Sequence, residues 1–71
     1  MELAEVRRLE VGDQVSVHVP WREMRELATV DVVDLDDDDL PIRVRFVSDN
    51  GFAWVSCQAI CHASASTFTV V

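Results

Sequence analysis

Six of the nine residues from Asp31 to Asp39, in the stretch DVVDLDDDDLPIRVRF, are aspartates. Carboxylates at that density could hold a cation or imitate a polyanion. Asp34, Asp36 and Asp38 have the D-x-D-x-D spacing of a calcium loop, but Asp39 stands where such a loop needs Gly, and Arg45 where it needs a bidentate Glu. We therefore assign no metal to the run. The phosphate-mimic reading is that Asp31, Asp34, Asp36, Asp37, Asp38 and Asp39 present negative charge to a basic nucleic-acid channel on another protein. The plainer reading is a solvated connection that also keeps sheet edges apart. Arg43 and Arg45 follow at once. They pair with the aspartates, each surface pair being worth about 0–1 kcal/mol, or with His18 they contact an anion.

The second group is Cys57, Cys61 and His62, spaced C-x-x-x-C-H. A closed zinc site takes four ligands at familiar spacings, and the chain offers only distant His18 to complete one. Small buried thiols are the simpler reading. A nucleophile–base pair of Cys57 with His62 or His18 would lack a Gly-rich oxyanion cradle and an enclosed pocket. The chain is accordingly read as non-catalytic and without a cofactor.

The elements around these residues alternate with the period of two that marks strands. Val15, Val17 and Val19 interleave with Gln14, Ser16 and His18, after a Gly12-Asp13 turn and before Pro20. Residues 20–28, PWREMRELA, break the alternation and read as a long first loop with a helical turn, in which Trp21 is either a plug or an exposed anchor. Residues 28–36 form a second strand, with Ala28, Val30 and Val32 on one face. The aspartates at 36–39 connect it to a third, where Ile42, Val44 and Phe46 point inward and Arg43 and Arg45 outward. Asn50-Gly51 is a hairpin signal of the type that needs positive φ at both residues. It leads into FAWVS, with Phe52 and Trp54 on one face. A short helical or 3₁₀ turn over 57–64 drops Ile60 inward, and residues 66–71 add a last strand beside the first. Residues 1–8 are a lead-in covering one end of the core.

Seventy-one residues, 49% of them hydrophobic and 27% charged, make a single globular domain spanning 1–71. With 13 acids, 6 arginines and no lysine, its charge of −7 disfavours direct binding to nucleic acid. No stretch has the length of a membrane span or the character of a signal peptide, so a soluble, cytoplasmic protein is expected.

The order LEVGDQVSV, ATVDVVD, acidic connection, LPIRVRF…NGFAWVSCQAI resembles the SH3-like barrels of small bacterial and phage accessory proteins, whose plan Tudor and KOW domains share. Gly12, Asp13, Pro41, Val44, Phe46, Trp54, Val55 and Ile60 carry the likeness. It implies an all-β, SH3-like barrel of five short antiparallel strands. The chain has no Tyr, whereas polyproline-binding members present a row of Tyr and Trp. The expected function is that of an acidic binding module, of phage or prophage type, that docks on a basic surface of a host nucleic-acid-handling or defence protein and inhibits it. Asp31 to Asp39 would supply attraction, and Trp21 or Trp54 the anchor. The alternatives are an oligomer holding an anionic, nucleotide-like ligand between subunits near Arg43, Arg45 and His18, or a structural module. An open barrel leaves strand edges, and the C-terminal TFTVV is apolar for a tail, so edge pairing that protects it would make a homodimer.

Overall fold

The computed structural model describes residues 1–19 and 23–71; Trp21 lies outside the described residues. The elements in chain order are α1 (Leu3–Val6), β1 (Gln14–Val19), β2 (Met24–Leu35), β3 (Pro41–Ser48), β4 (Gly51–Ser56), α2 (Cys57–His62) and β5 (Phe68–Val70). The strands form one antiparallel sheet in the order β4-β3-β2-β1-β5. The all-β class expected from the alternation is the class observed, and the last strand lies beside the first.

The sheet curls because β2 serves two ladders with different halves. Met24 to Thr29 pair with β1, and Thr29 to Leu35 pair with β3, so the two ladders share only Thr29. Register shifts between Val30 and Val32 and between Asp34 and Leu35 add bend, as bulges do. Among the described residues no ladder joins β4 to β5, so the curl is not closed by backbone bonds. On the inside, Phe46 of β3 stacks on Phe68 of β5 with ring centroids 5.9 Å apart, linking non-neighbouring strands through side chains.

Inside the curl, Val15, Ala28, Val30, Val44 and Phe46 meet Val6 and Leu9 from the N-terminal segment and Cys57 and Ile60 from α2. Both helices are too short to persist alone. They exist because Val6 and Ile60 are wholly buried and because Ser56 caps α2, its hydroxyl accepting the Ala59 N–H at 3.0 Å.

Four expectations need correction. From Met24 onward the expected long first loop is strand: β2 begins there, and Met24 and Leu27 are exposed. What decides is the ladder to β1, together with Arg25. Its guanidinium reaches across β1 to donate to Ser16 Oγ (2.7 Å), the Ser66 carbonyl (2.8 Å) and Thr69 Oγ1 (3.1 Å). Val32 does not share the inward face of Val30. Asp31 occupies the bulge, the alternation flips, and Val33 packs on the core instead. Ile42 is 46% exposed because it falls in the second irregularity, between the pairs Asp34–Arg43 and Leu35–Pro41. The β3–β4 hairpin forms, but of Asn50 and Gly51 only Gly51 has positive φ, at +114°. The Asn50 side chain is instead engaged with Glu26, to which its amide donates.

Candidate functional site

The outward face of the β3–β4 hairpin gathers the residues with chemistry. Cross-strand pairing sets Arg43 opposite Ser56, Arg45 opposite Trp54 and Val47 opposite Phe52, and directly opposed residues share a face. The Arg43 guanidinium lies over the Trp54 ring at 4.2 Å from its centroid. That of Arg45 lies over Phe52 at 5.2 Å and Trp54 at 5.7 Å. These are cation–π distances. Trp54 keeps 40% of its surface exposed and Phe52 66%.

The aspartate run divides into three kinds of residue. Asp34 accepts from Arg43 Nε at 2.8 Å, and Asp31, raised on its bulge, accepts from Arg45 Nε at 2.8 Å and from Arg45 Nη2. Asp36 holds the turn: its Oδ1 accepts the backbone N–H of Asp38 (2.8 Å) and of Leu40 (2.9 Å), and its own N–H donates to the Leu40 carbonyl. Asp39 follows with φ of +60°, a left-handed conformation that Asp tolerates better than most side chains. Asp37, Asp38 and Asp39 turn their charge to water. Beside them Leu35, Leu40 and Ile42 are 47%, 42% and 46% exposed. The tip is therefore acidic and apolar at once. A chain of contacts, Asp34 to Arg43 to Trp54, joins it to the exposed indole.

His18 is not part of this group. It is half-buried on β1 opposite Arg25, whereas Arg43 pairs with Asp34 near the other end of β2. Measured along β2, the two pairings lie about 30 Å of strand apart at about 3.3 Å per residue. The anion constellation of Arg43, Arg45 and His18 is thus not assembled within one copy. Cys57 is buried and Cys61 half-buried, both as free thiols, while His62 is exposed. Five residues apart on a helix, Cys57 and His62 occupy different faces. Burial pushes the Cys57 thiol up from its ordinary value, the Arg7 charge opposing this more weakly. A raised thiol is a poor nucleophile at neutral pH. Among the described residues no group of three or more His, Cys, Asp or Glu is placed to hold a metal, and no helix is long and apolar enough to cross a membrane.

Arg25 is the residue whose importance the sequence reading missed. It falls within the stretch read as a long first loop, yet it clamps β1, β2 and the segment leading into β5. Its neighbours Ser66 and Thr69 lie over forty positions away, and no local pattern links them. Comparison with known families, curated proteins and solved structures finds no match for this chain.

Proposed function

We propose that this chain is a non-catalytic binding module on an SH3-like curl, which docks on a basic surface of another protein through the acidic tip and the adjoining Trp54. Pairing of β5 with β1 and the helical turn ahead of the last strand support the SH3-like reading. The observation that carries the function is the company the acids keep. A connection that served solubility alone would be clothed in polar side chains, yet Leu35, Leu40 and Ile42 flank Asp36 to Asp39 in water. Apolar side chains ringed by like charge fit a partner whose basic rim surrounds an apolar floor, such as a protein's nucleic-acid cleft. Trp54 supplies the anchor, pre-positioned by Arg43, so little rotamer entropy is lost on docking.

The test is affinity capture from a native lysate with identification by mass spectrometry, run for three proteins in parallel. A genuine partner is held by the unaltered chain, weakens with added salt, and is lost both in Leu40→Ala/Trp54→Ala and in Asp37→Asn/Asp38→Asn/Asp39→Asn. Asp36 is spared because it holds the turn. A partner retained by both variants refutes the proposal.

A further inference from the structure

We infer that two copies of this chain pair through the open edge of β4, antiparallel about a twofold axis passing through Ala53, so that the sheet runs on from one copy into the next. The edge strand reads GFAWVS and contains no charged residue and no proline, and its ladder to β3 runs without a register shift. Those are the devices by which exposed edges are normally kept from pairing, and β4 has none of them. The opposite edge, β5, is protected by being only three residues long.

The backbone fixes which groups wait at the edge. Thr29 opposes Val47 and Ser48 opposes Gly51. Alternation along an antiparallel ladder then sends the N–H and C=O of Gly51, Ala53 and Val55 to β3. Phe52 and Trp54 turn theirs outward to the open side. A second β4 can accept these bonds only in registers that oppose outward residue to outward residue. With the axis at Ala53, Phe52 opposes Trp54 of the second copy and Trp54 opposes its Phe52, each in the wider, hydrogen-bonded kind of pair (about 5.5 Å between Cα atoms) that bulky side chains tolerate. The closer, non-hydrogen-bonded positions (about 4.5 Å) fall to Ala53 against Ala53 and Val55 against Gly51. Large residues thus meet where there is room, and small ones where there is not. The strand is uncharged, so no like charges face each other across the axis despite the net −7 of each chain.

A second observation favours the same occupant. A mainly apolar cleft, lined by β4 with Val17, Ala28, Phe46 and Phe68 and carrying the polar Glu26, Ser48 and Asn50, opens beside β4, where among the described residues no ladder closes the curl. A strand laid along β4 covers its open side. The pairing uses the backbone edge of β4, and on the outward face it sets the Phe52–Trp54 groups of the two copies side by side.

Sedimentation velocity on the full chain, from low-micromolar to submillimolar concentration, should show a monomer–dimer equilibrium. Phe52→Pro removes an edge N–H that β3 does not use, a substitution edge strands accept. It should weaken the dimer about tenfold or more, since the axis counts the loss twice. In a Cys61→Ser background, Ala53→Cys should give a covalent dimer under copper-phenanthroline oxidation, and Val47→Cys, exposed on the neighbouring strand, should not. A chain that stays monomeric throughout overturns the inference. So does a Val47→Cys protein that cross-links as fast as Ala53→Cys, or a folded Phe52→Pro protein that dimerises unchanged. Should Phe52→Pro fail to fold by circular dichroism, the cysteine pair decides alone. Dimerisation with no partner captured, or capture by a monomer, tells the two proposals apart.

Discussion

Two isoleucines allow the packing argument to be tested directly. Ile60 on α2 has no solvent exposure and sits in the cluster with Val6, Val44 and Cys57, whereas Ile42 on β3 is 46% exposed. Ile→Ala deletes about three methylene equivalents at ~0.8 kcal/mol each, roughly 2.4 kcal/mol if all were buried. At Ile60 a cavity remains between two helical turns and the sheet, which raises the expected loss to about 3–4 kcal/mol. At Ile42 about half of the side chain is already in water and solvent fills the gap, so about 1 kcal/mol is expected. A domain of this length has on the order of 4–11 kcal/mol in all, so Ile60→Ala should lower the midpoint of thermal unfolding by on the order of 15–25 °C. Urea unfolding followed by far-ultraviolet circular dichroism measures both, with equal m-values as the check that only stability changed. Equal losses at the two positions, or a larger one at Ile42, would mean that α2 does not plug the curl and that the simple alternation of β3 was right.

Asp36→Ala should destabilise the domain by about 1 kcal/mol, since it removes the acceptor of two backbone N–H groups, while Asp37→Ala should be neutral within ~0.5 kcal/mol; chemical denaturation separates them. Asp39→Gly, at φ +60°, should be neutral or stabilising by up to about 1 kcal/mol in the same assay. The raised thiol of Cys57 is protonated in the folded chain where the unfolded thiol, with its ordinary value of 9.0, has begun to ionise. Its contribution to stability is therefore complete below pH 9.0 and is lost as pH climbs from there through the folded value. Cys57→Ala should flatten that alkaline decline, and in the native protein Cys61 should be alkylated before Cys57. Arg43→Ala uncovers the Trp54 ring, so in a Trp21→Phe background the emission should shift to the red; an unchanged spectrum would deny the stacking.

Strand identity was legible wherever one face of a strand is buried against the core. Val15, Val17 and Val19 on β1, and Val44 and Phe46 on β3, announced themselves by alternation because each strand there is regular. The reading failed at Asp31 and Ile42, both at register shifts. A bulge adds one residue to one strand and reverses every later inward–outward assignment, and nothing in a single strand's own pattern marks where its partner will skip. The start of β2 was missed for a related reason. Met24, Arg25 and Leu27 are exposed, and the segment is a strand because β1 offers it a ladder and Arg25 ties it across to β5. Those partners are remote in sequence. The candidate site was half legible: Trp54 and the Arg43–Arg45 pair were named from alternation, but their stacking and the exposure of Leu35, Leu40 and Ile42 depend on the curl.

The aspartate run shows why composition overstates a charged surface. Six carboxylates in nine positions suggest a continuous negative stripe, yet two are matched by arginines and a third is committed to its own turn. What remains at the tip is three acidic side chains beside three exposed aliphatic ones. Three exposed charges, screened over about 8 Å at physiological salt, can speed and orient an encounter, but surface pairs of this kind each contribute only about 0–1 kcal/mol. Leu35, Leu40, Ile42 and the indole must then supply most of any lasting affinity, through the area they remove from water at about 25 cal/mol per Å². The charge would steer and the apolar side chains would hold.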